Sequence, residues 1–234
     1  MTIREYSGKT YVAFLDLSGF KEMMKRQEQA ANALDRFYNT IYHVGRGFTR
    51  ANISSRLLEV NEIVVSDCAI LFSRNGEGEQ DKIDGLRSVL SCIQQVNRYL
   101  ISSTQSLMAT CVVDYGNFRY EDRIEFDGIG KDCFVGQPYL NAFLDNELGS
   151  PRIQPGQCRL LRKNLPTNVE STTDMPLSLL HGSNDQKYYY FYWMLDNLDV
   201  LQRFERDYRD TYQLKYTGMI SVLKRYVGNV PASF

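Results

Sequence analysis

The sequence predicts a single β-sheet with helices packed on it, a fold of the α/β or α+β class. Apolar runs that are typical of strands alternate along the chain with segments whose apolar residues recur every three or four positions, as in amphipathic helices. The length of 234 residues suits one sizeable hydrophobic core and is short for two independent domains.

The predicted elements follow one another as strand, helix, strand pair, helix, strand, helix, strand and helix. The strands cover residues 11–17, 57–72, 107–118 and 187–194, and the helices cover residues 21–42, 81–100, 136–148 and 199–227. Residues 57–72 are predicted either as two strands around a tight bend or as one long bent strand. We expect residues 1–194 to form the main domain and residues 195–234 to form its C-terminal helical extension.

Composition and charge restrict the classes of partner. The chain has 27 Lys and Arg against 28 Asp and Glu, a net charge of -1, so it has no overall positive field to attract nucleic acid or an anionic membrane. No apolar run approaches the roughly 18 residues of a membrane span, and the N-terminus has no signal-peptide core. The five cysteines show no CxxC spacing, which predicts no zinc site and indicates buried thiols in a reducing cytoplasm.

Two aspartates lie in strands that are otherwise apolar. Asp16 lies within YVAFLDLSGF and Asp67 within EIVVSDCAILF, and no Lys or Arg is close to either along the chain. An ionised carboxylate in such a strand is costly unless it is paired or binds a metal. For one aspartate alone, backbone amides would be a sufficient partner. The two together predict a pair of ligands for Mg²⁺ or Mn²⁺, which prefer oxygen.

A turn that contains glycine follows Asp16 directly. Ser18 and Gly19 connect the first predicted strand to a helix that begins at once. The free amides at the start of a helix can hold phosphate oxygens, and glycine lets the backbone come close to them. Many strand-to-helix turns use Ser-Gly, so the turn points to a phosphorylated ligand only in combination with Asp16.

Together these segments resemble class III nucleotidyl cyclases over roughly residues 10–145. FLDLSGF resembles the first metal motif of that family, and VVSDCAILF resembles the second, which is usually a Gly-Asp pair in a β-hairpin. VVDYGNF and FVGQPYLNAFLDNE resemble two later segments. The resemblance implies an α+β cyclase fold with residues 1–194 as the catalytic domain. It also implies an enzyme that closes a nucleoside triphosphate into a cyclic monophosphate and releases pyrophosphate.

The resemblance implies the main site residues as well. Asp16 and Asp67 would bind two Mn²⁺ or Mg²⁺ ions, and the carbonyl oxygen of Leu17 would complete the second ion site. The backbone of Gly19 and Phe20 would hold phosphates. Sites of this family form between two subunits arranged head to tail, which implies a homodimer with composite active sites.

The base-reading positions depart from the purine cyclases. Adenylate cyclases carry Lys and Asp at the positions of Ile63 and Cys133, and guanylate cyclases carry Glu and Cys, so neither pair is complete.

The chain resembles the pyrimidine cyclases of the bacterial Pycsar anti-phage system, whose product a separate effector senses. We predict UTP as the substrate, with Asn61 facing the uracil edge. The alternatives are a cytidylate or purine cyclase, and a degenerate cyclase-like module that binds nucleotide or dimerises.

The transition-state residues also depart from the family. Its Asn and Arg fall on Leu140 and Leu144, and Asn141 lies one position late. Another cation must then meet the developing charge, because phosphoryl transfer depends on electrostatic stabilisation. Each candidate is equally compatible with a solvated surface cation. The candidates are Arg46, Arg50 and Lys187.

Overall fold

The computed structural model consists of one mixed eight-stranded sheet with helices on both faces. It describes residues 3–51, 58–74, 76–102, 106–125, 129–165 and 174–210, without the side chains of residues 48–51, 123–125 and 129–131. The strands are β1 (Tyr6–Leu17), β2 (Val60–Val65), β3 (Cys68–Ser73), β4 (Ala109–Glu125), β5 (Ile129–Gly136), β6 (Cys158–Leu161), β7 (Leu180–Gly182) and β8 (Tyr188–Phe191). Their order is β2-β3-β1-β4-β6-β8-β7, and β5 pairs with the far end of β4.

Five helices accompany this sheet in the described residues. They are α1 (Phe20–Met23), α2 (Gln27–Ala51), α3 (Glu79–Ile101), α4 (Gln137–Leu148) and α5 (Leu198–Asp210). This arrangement confirms the predicted α+β class. None of the helices that the structure describes combines the length and the apolar composition needed to cross a membrane.

The sheet separates two hydrophobic cores of unequal size. On β1, Leu15 and Leu17 enter the larger core together with apolar residues of α2 and α3. Phe14 enters the smaller core, where its ring meets that of Phe143 from α4 edge-on at 5.4 Å. Because side chains alternate between the two faces of a strand, Asp16 lies on the face that α4 covers. Burial from both sides explains why the sequence of β1 reads as a continuous apolar run.

A buried ion pair fixes the C-terminal end of α4 to the sheet. Arg159 on β6 is fully buried, and its Nε donates to Asp145 Oδ2 of α4 at 2.7 Å. Its guanidinium lies 4.4 Å from the centre of the Tyr188 ring, and the Tyr188 hydroxyl donates to Asp145 Oδ1 at 2.7 Å. The charge of Arg159 is therefore paired and hydrogen-bonded, which is the condition for burying it at tolerable cost.

Several element boundaries differ from the prediction. The first predicted helix is interrupted, because α1 ends at Met23 and α2 begins at Gln27 and continues to Ala51. Strand β4 continues to Glu125 and pairs with β5, a hairpin arm that the sequence did not predict. Of the two alternatives for residues 57–72, the structure has the pair of strands around a tight bend, formed by β2 and β3. The part of the last predicted helix beyond Asp210 lies outside the described residues.

Candidate active site

The end of β1, which carries Asp16, pairs through its backbone with the β2–β3 hairpin. Asp16 is the penultimate residue of β1, and its cross-strand partner on β3 is Cys68. The hairpin has a two-residue turn made of Ser66 and Asp67. The Leu17 N–H donates to the carbonyl oxygen of Asp67 at 2.9 Å. Backbone pairing thus brings together two aspartates that are about fifty residues apart in sequence.

The hairpin turn requires an unusual backbone conformation. Ser66 has a φ of 55°, in the left-handed region. Two-residue hairpin turns need such a conformation at their first central residue, and glycine adopts it without steric cost. Ser66 therefore occupies the position at which the cyclase resemblance expects glycine, and it holds Asp67 in the same turn.

Asp16, Asp67 and Cys68 form a compact cluster of possible metal ligands. One ligand atom from each lies within 4.8 Å of the others. The Cys68 thiol donates to Asp16 Oδ1 at 3.3 Å. Among the ion pairs of the described residues, none joins either carboxylate to a Lys or Arg. Within the described residues, therefore, no Lys or Arg forms an ion pair with either of the two carboxylates.

Burial makes the charge on Asp16 costly. It raises the pKa of Asp16 from 3.8 to about 6, against the opposing hydrogen bond from Cys68, and the carboxylates of Asp67 and Glu147 raise it further. Burial and the neighbouring Asp16 also raise the pKa of the Cys68 thiol. A divalent cation would offset this accumulation of negative charge. Two carboxylate oxygens in this setting fit Mg²⁺ or Mn²⁺.

The turn after β1 has the conformation that a close ligand approach needs. Gly19 is exposed and has a φ of 79°, a left-handed conformation that favours glycine. The Ser18 N–H donates to the Met108 carbonyl oxygen at 2.8 Å, which ties the turn to the strand beside it. The side chain of Phe20 is buried in the larger core. α1 is a single turn, so few peptide dipoles add up there.

The predicted base-reading residues lie on β2 and β5. Ile63 is buried in the smaller core and offers no hydrogen bond. Asn61 is also buried, and its Nδ2 has no hydrogen-bond partner among the described residues. Its cross-strand partner Phe72 is four residues beyond Cys68, a distance of about 13 Å along the strand. Cys133 is half-buried on β5.

Helix α4 presents different residues to the sheet and to solvent. Asn141 Nδ2 donates to Asp114 Oδ2 of β4 at 2.7 Å, and its Oδ1 accepts from Gln137 Nε2 at 2.7 Å. The amide of Asn141 is therefore engaged within its own chain. Leu140 and Leu144 are 44% and 41% exposed, so they lie on the outer side of the helix.

Two of the predicted cations, Arg46 and Lys187, lie away from the carboxylates. Arg46 is exposed on α2, which packs against the other face of the sheet. It lines a groove of about 840 Å³ together with residues such as His43 and Tyr99, and neither aspartate lines that groove. Lys187 Nζ donates to the carbonyl oxygen of Ser150 at 3.1 Å. The side chain of Arg50 lies outside the described residues.

Three residues near the carboxylates were not identified from the sequence. They are Cys68, Thr110, whose hydroxyl donates to the Asp16 carbonyl oxygen at 3.4 Å, and Glu147 on α4. A two-residue turn at Asp67 would have pointed to Cys68, because it starts β3 at the residue after the aspartate. No local sequence signal indicates Thr110 or Glu147, since packing between distant elements places them.

The fold is similar to that of solved adenylyl and guanylyl cyclase domains. No protein-family model and no curated protein matches the sequence. Among solved structures, the chain is similar to the adenylyl cyclase CyaB from P. aeruginosa, at 14% identity and a TM-score of 0.51 over 80% of this chain and 96% of that one. The dimeric guanylyl cyclase domain of the RhoGC fusion protein from the aquatic fungus Blastocladiella emersonii gives 12% identity and 0.54 over 81% and 98%.

A third similar structure is the guanylate cyclase domain of RhGC from Catenaria anguillulae in complex with GTP. It gives 14% identity and a TM-score of 0.51 over 80% of this chain and 98% of that one. The likeness thus extends over nearly the whole of each of these cyclase domains.

Proposed function

We propose that this protein is a nucleotidyl cyclase that converts a nucleoside triphosphate into a cyclic monophosphate and pyrophosphate with Mg²⁺ or Mn²⁺. The observation that carries the proposal is the meeting of Asp16 and Asp67, with ligand atoms within 4.8 Å, at the end of β1 in a cyclase fold. The GTP complex of the similar domain from Catenaria anguillulae supports a triphosphate substrate.

Each residue of the site has a distinct role in this proposal. Asp16 and Asp67, with the carbonyl oxygen of Leu17, would hold two ions, which would lower the pKa of the ribose 3′-hydroxyl and stabilise the leaving pyrophosphate. The amides of Gly19 and Phe20 bind phosphate oxygens. The 3′-oxygen attacks the α-phosphorus, the bond to pyrophosphate breaks, and the hydroxyl proton leaves to solvent.

The proposed substrate is UTP, with CTP second, and the product is cyclic UMP. The Nδ2 of Asn61 supports this, because it is buried and has no hydrogen-bond partner among the described residues, and a bound uracil would offer it a carbonyl acceptor. Ile63 provides no polar contact of the kind that reads a purine, and Cys133 provides only a weak one. By resemblance, the product would be a second messenger in anti-phage defence, sensed by a separate effector.

The proposed assembly is a homodimer with composite sites. The exposed leucines Leu140, Leu144 and Leu148 follow one another at four-residue steps along α4 and form an apolar stripe. A composite site would allow a cation that is remote from the carboxylates in one chain, such as Arg46, to act in the site of the second subunit.

The same leucines favour one competing function. Leu140 and Leu144 stand where cyclases of this class carry their transition-state Asn and Arg. A domain that lost this Asn and Arg without replacement would bind nucleotide or dimerise without turnover.

A panel of the four nucleoside triphosphates with Mn²⁺ tests the proposal, with pyrophosphate release and chromatography of the products as readouts. We expect turnover of UTP first and CTP second, and loss of turnover in Asp16→Ala and Asp67→Ala. Asp185→Ala, at an exposed aspartate in the turn before β8, is the matched control and retains turnover. Asn61→Ala should lose base discrimination more than ion binding.

Faster cyclisation of ATP or GTP than of UTP overturns the pyrimidine assignment and leaves the cyclase chemistry intact. Absence of turnover with all four nucleotides overturns the cyclase proposal and favours the binding module.

A further inference from the structure

We propose that Cys68 is a third ligand of the ion site, so that Asp16, Asp67 and Cys68 together bind a thiophilic divalent cation such as Zn²⁺. The inference deepens the proposed function, because it concerns the cation selectivity of the same site. Only its expected effect on turnover rests on the proposed function; the binding of the cation does not. The sequence did not predict a zinc site, since no CxxC spacing is present. Cross-strand pairing creates the ligand set instead.

The distances suit such an ion. Zinc binds a thiolate sulfur at about 2.3 Å and a carboxylate oxygen at about 2.0–2.2 Å, so two such atoms on a tetrahedral ion are about 3.5 Å apart. Cys68 Sγ and Asp16 Oδ1 are 3.3 Å apart. The third ligand atom, from Asp67, lies within 4.8 Å of both, so side-chain movements of about 1 Å complete the geometry.

The backbone fixes the three ligands relative to one another. Asp16 and Cys68 are a registered cross-strand pair, and Asp67 is the neighbour of Cys68 in the turn. The Leu17 N–H, bonded to the Asp67 carbonyl oxygen at 2.9 Å, fixes the turn against β1. Three protein ligands leave one position of a tetrahedral ion open to water or to a phosphate oxygen, as in catalytic zinc sites.

The charges around the cluster also favour a cation. Asp67 and Glu147 are the acidic groups that bear on Asp16, and no Lys or Arg in the described chain pairs with Asp16 or Asp67. Carboxylates alone would suit Mg²⁺, whereas a thiolate shifts preference toward Zn²⁺ and Cd²⁺. Zn²⁺ should therefore compete with Mg²⁺ or Mn²⁺ for this site and inhibit turnover at low concentration.

Titration of the ion-free protein with Cd²⁺ tests the ligand set without any assay of activity. A cadmium–thiolate bond produces an ultraviolet charge-transfer band, and we expect that band to saturate at one equivalent per chain. Cys68→Ser should abolish the band, while Cys133→Ser, at a half-buried thiol outside the cluster, is the control for metal binding and keeps it. Zn²⁺ should displace the cadmium, and Asp67→Asn should weaken binding at least about tenfold.

Circular dichroism of each variant establishes that it is folded, and Cys68→Ala serves as a second variant if Cys68→Ser is not. No charge-transfer band in the wild-type protein, or an unchanged band in the folded Cys68 variant, overturns the inference. Cadmium binding through Cys68 in a protein that cyclises no nucleotide would leave the inference standing and remove the proposed function. An active cyclase that shows no charge-transfer band would leave the proposed function standing and overturn the inference about Cys68.

Discussion

Replacing Asp16 by Asn should stabilise the ion-free protein at neutral pH, although it removes a proposed ligand. Burial raises the pKa of Asp16 from 3.8 to about 6, so the folded protein binds a proton there more readily than the unfolded chain does. The free energy of unfolding should therefore fall as the pH rises from about 4 to about 6, and stay lower above that range. The difference corresponds to at most about 3 kcal/mol, and partial solvent access reduces our expectation to about 1–2 kcal/mol.

Urea unfolding in the presence of a chelator, at pH 4 and at pH 7.5, measures this effect. Asp16→Asn should gain about 1–2 kcal/mol at pH 7.5 and little at pH 4, where the wild-type carboxyl is protonated in the folded state and the energetic cost of its charge is therefore absent. Asp114→Asn is the contrasting variant. Asp114 is fully buried on β4, but its oxygens accept from Asn141 at 2.7 Å and from Asn164 at 3.1 Å. Disturbing those bonds should cost about 1–3 kcal/mol.

Two results would contradict this expectation: destabilisation of the chelated protein by Asp16→Asn at pH 7.5, or an equal effect of the substitution at both pH values. Either result would mean that Asp16 already has a compensating partner, so that its charge is not costly in the folded chain.

Three further predictions concern other parts of the molecule. Asp145→Ala should lower the free energy of unfolding by about 3–5 kcal/mol in urea titrations, because it leaves a buried guanidinium unpaired; a loss below about 1 kcal/mol would contradict this. Leu144→Glu should convert the proposed homodimer into folded monomers in sedimentation experiments, whereas Leu198→Glu, at another exposed leucine, should not; a dimeric Leu144→Glu protein would exclude α4 from the interface. Ser66→Gly should raise stability by up to about 1 kcal/mol in thermal unfolding, and a loss would show that the turn does not strain the serine.

The elements that could be identified from the sequence are those whose burial leaves a long apolar run or a periodic apolar pattern. β1 is covered on both faces and therefore reads as a continuous apolar run, whereas the core-facing apolar residues of α3 recur at helical spacing. The β4–β5 arm was missed because its residues around Asp122 and Asp132 are polar and paired through the backbone. β6 and β7, with four and three residues, are too short to show a period.

The candidate site was predictable to a similar extent. Asp16 and Asp67 could be found because a carboxylate within a long apolar run is conspicuous in sequence, although Asp67 lies in the hairpin turn and not in a strand as predicted. The position of Cys68 depends on the cross-strand register, and Glu147 approaches only because α4 packs over β1. The engagement of Asn141 with Asp114 likewise depends on how a helix is seated on the sheet, which no local pattern encodes.

The separation between the aspartates and the proposed base-reading positions has a consequence for how such a domain could diversify. The carboxylates are held by a strand end and a tight turn, through main-chain hydrogen bonds, whereas Asn61 and Ile63 lie farther back on β2. If the proposed function holds, substitutions at these two positions would change the groups offered to a base without moving the carboxylates of Asp16 and Asp67. Selection could then replace the recognised base step by step while the proposed reaction is retained, so that one ancestral scaffold would yield several signalling nucleotides.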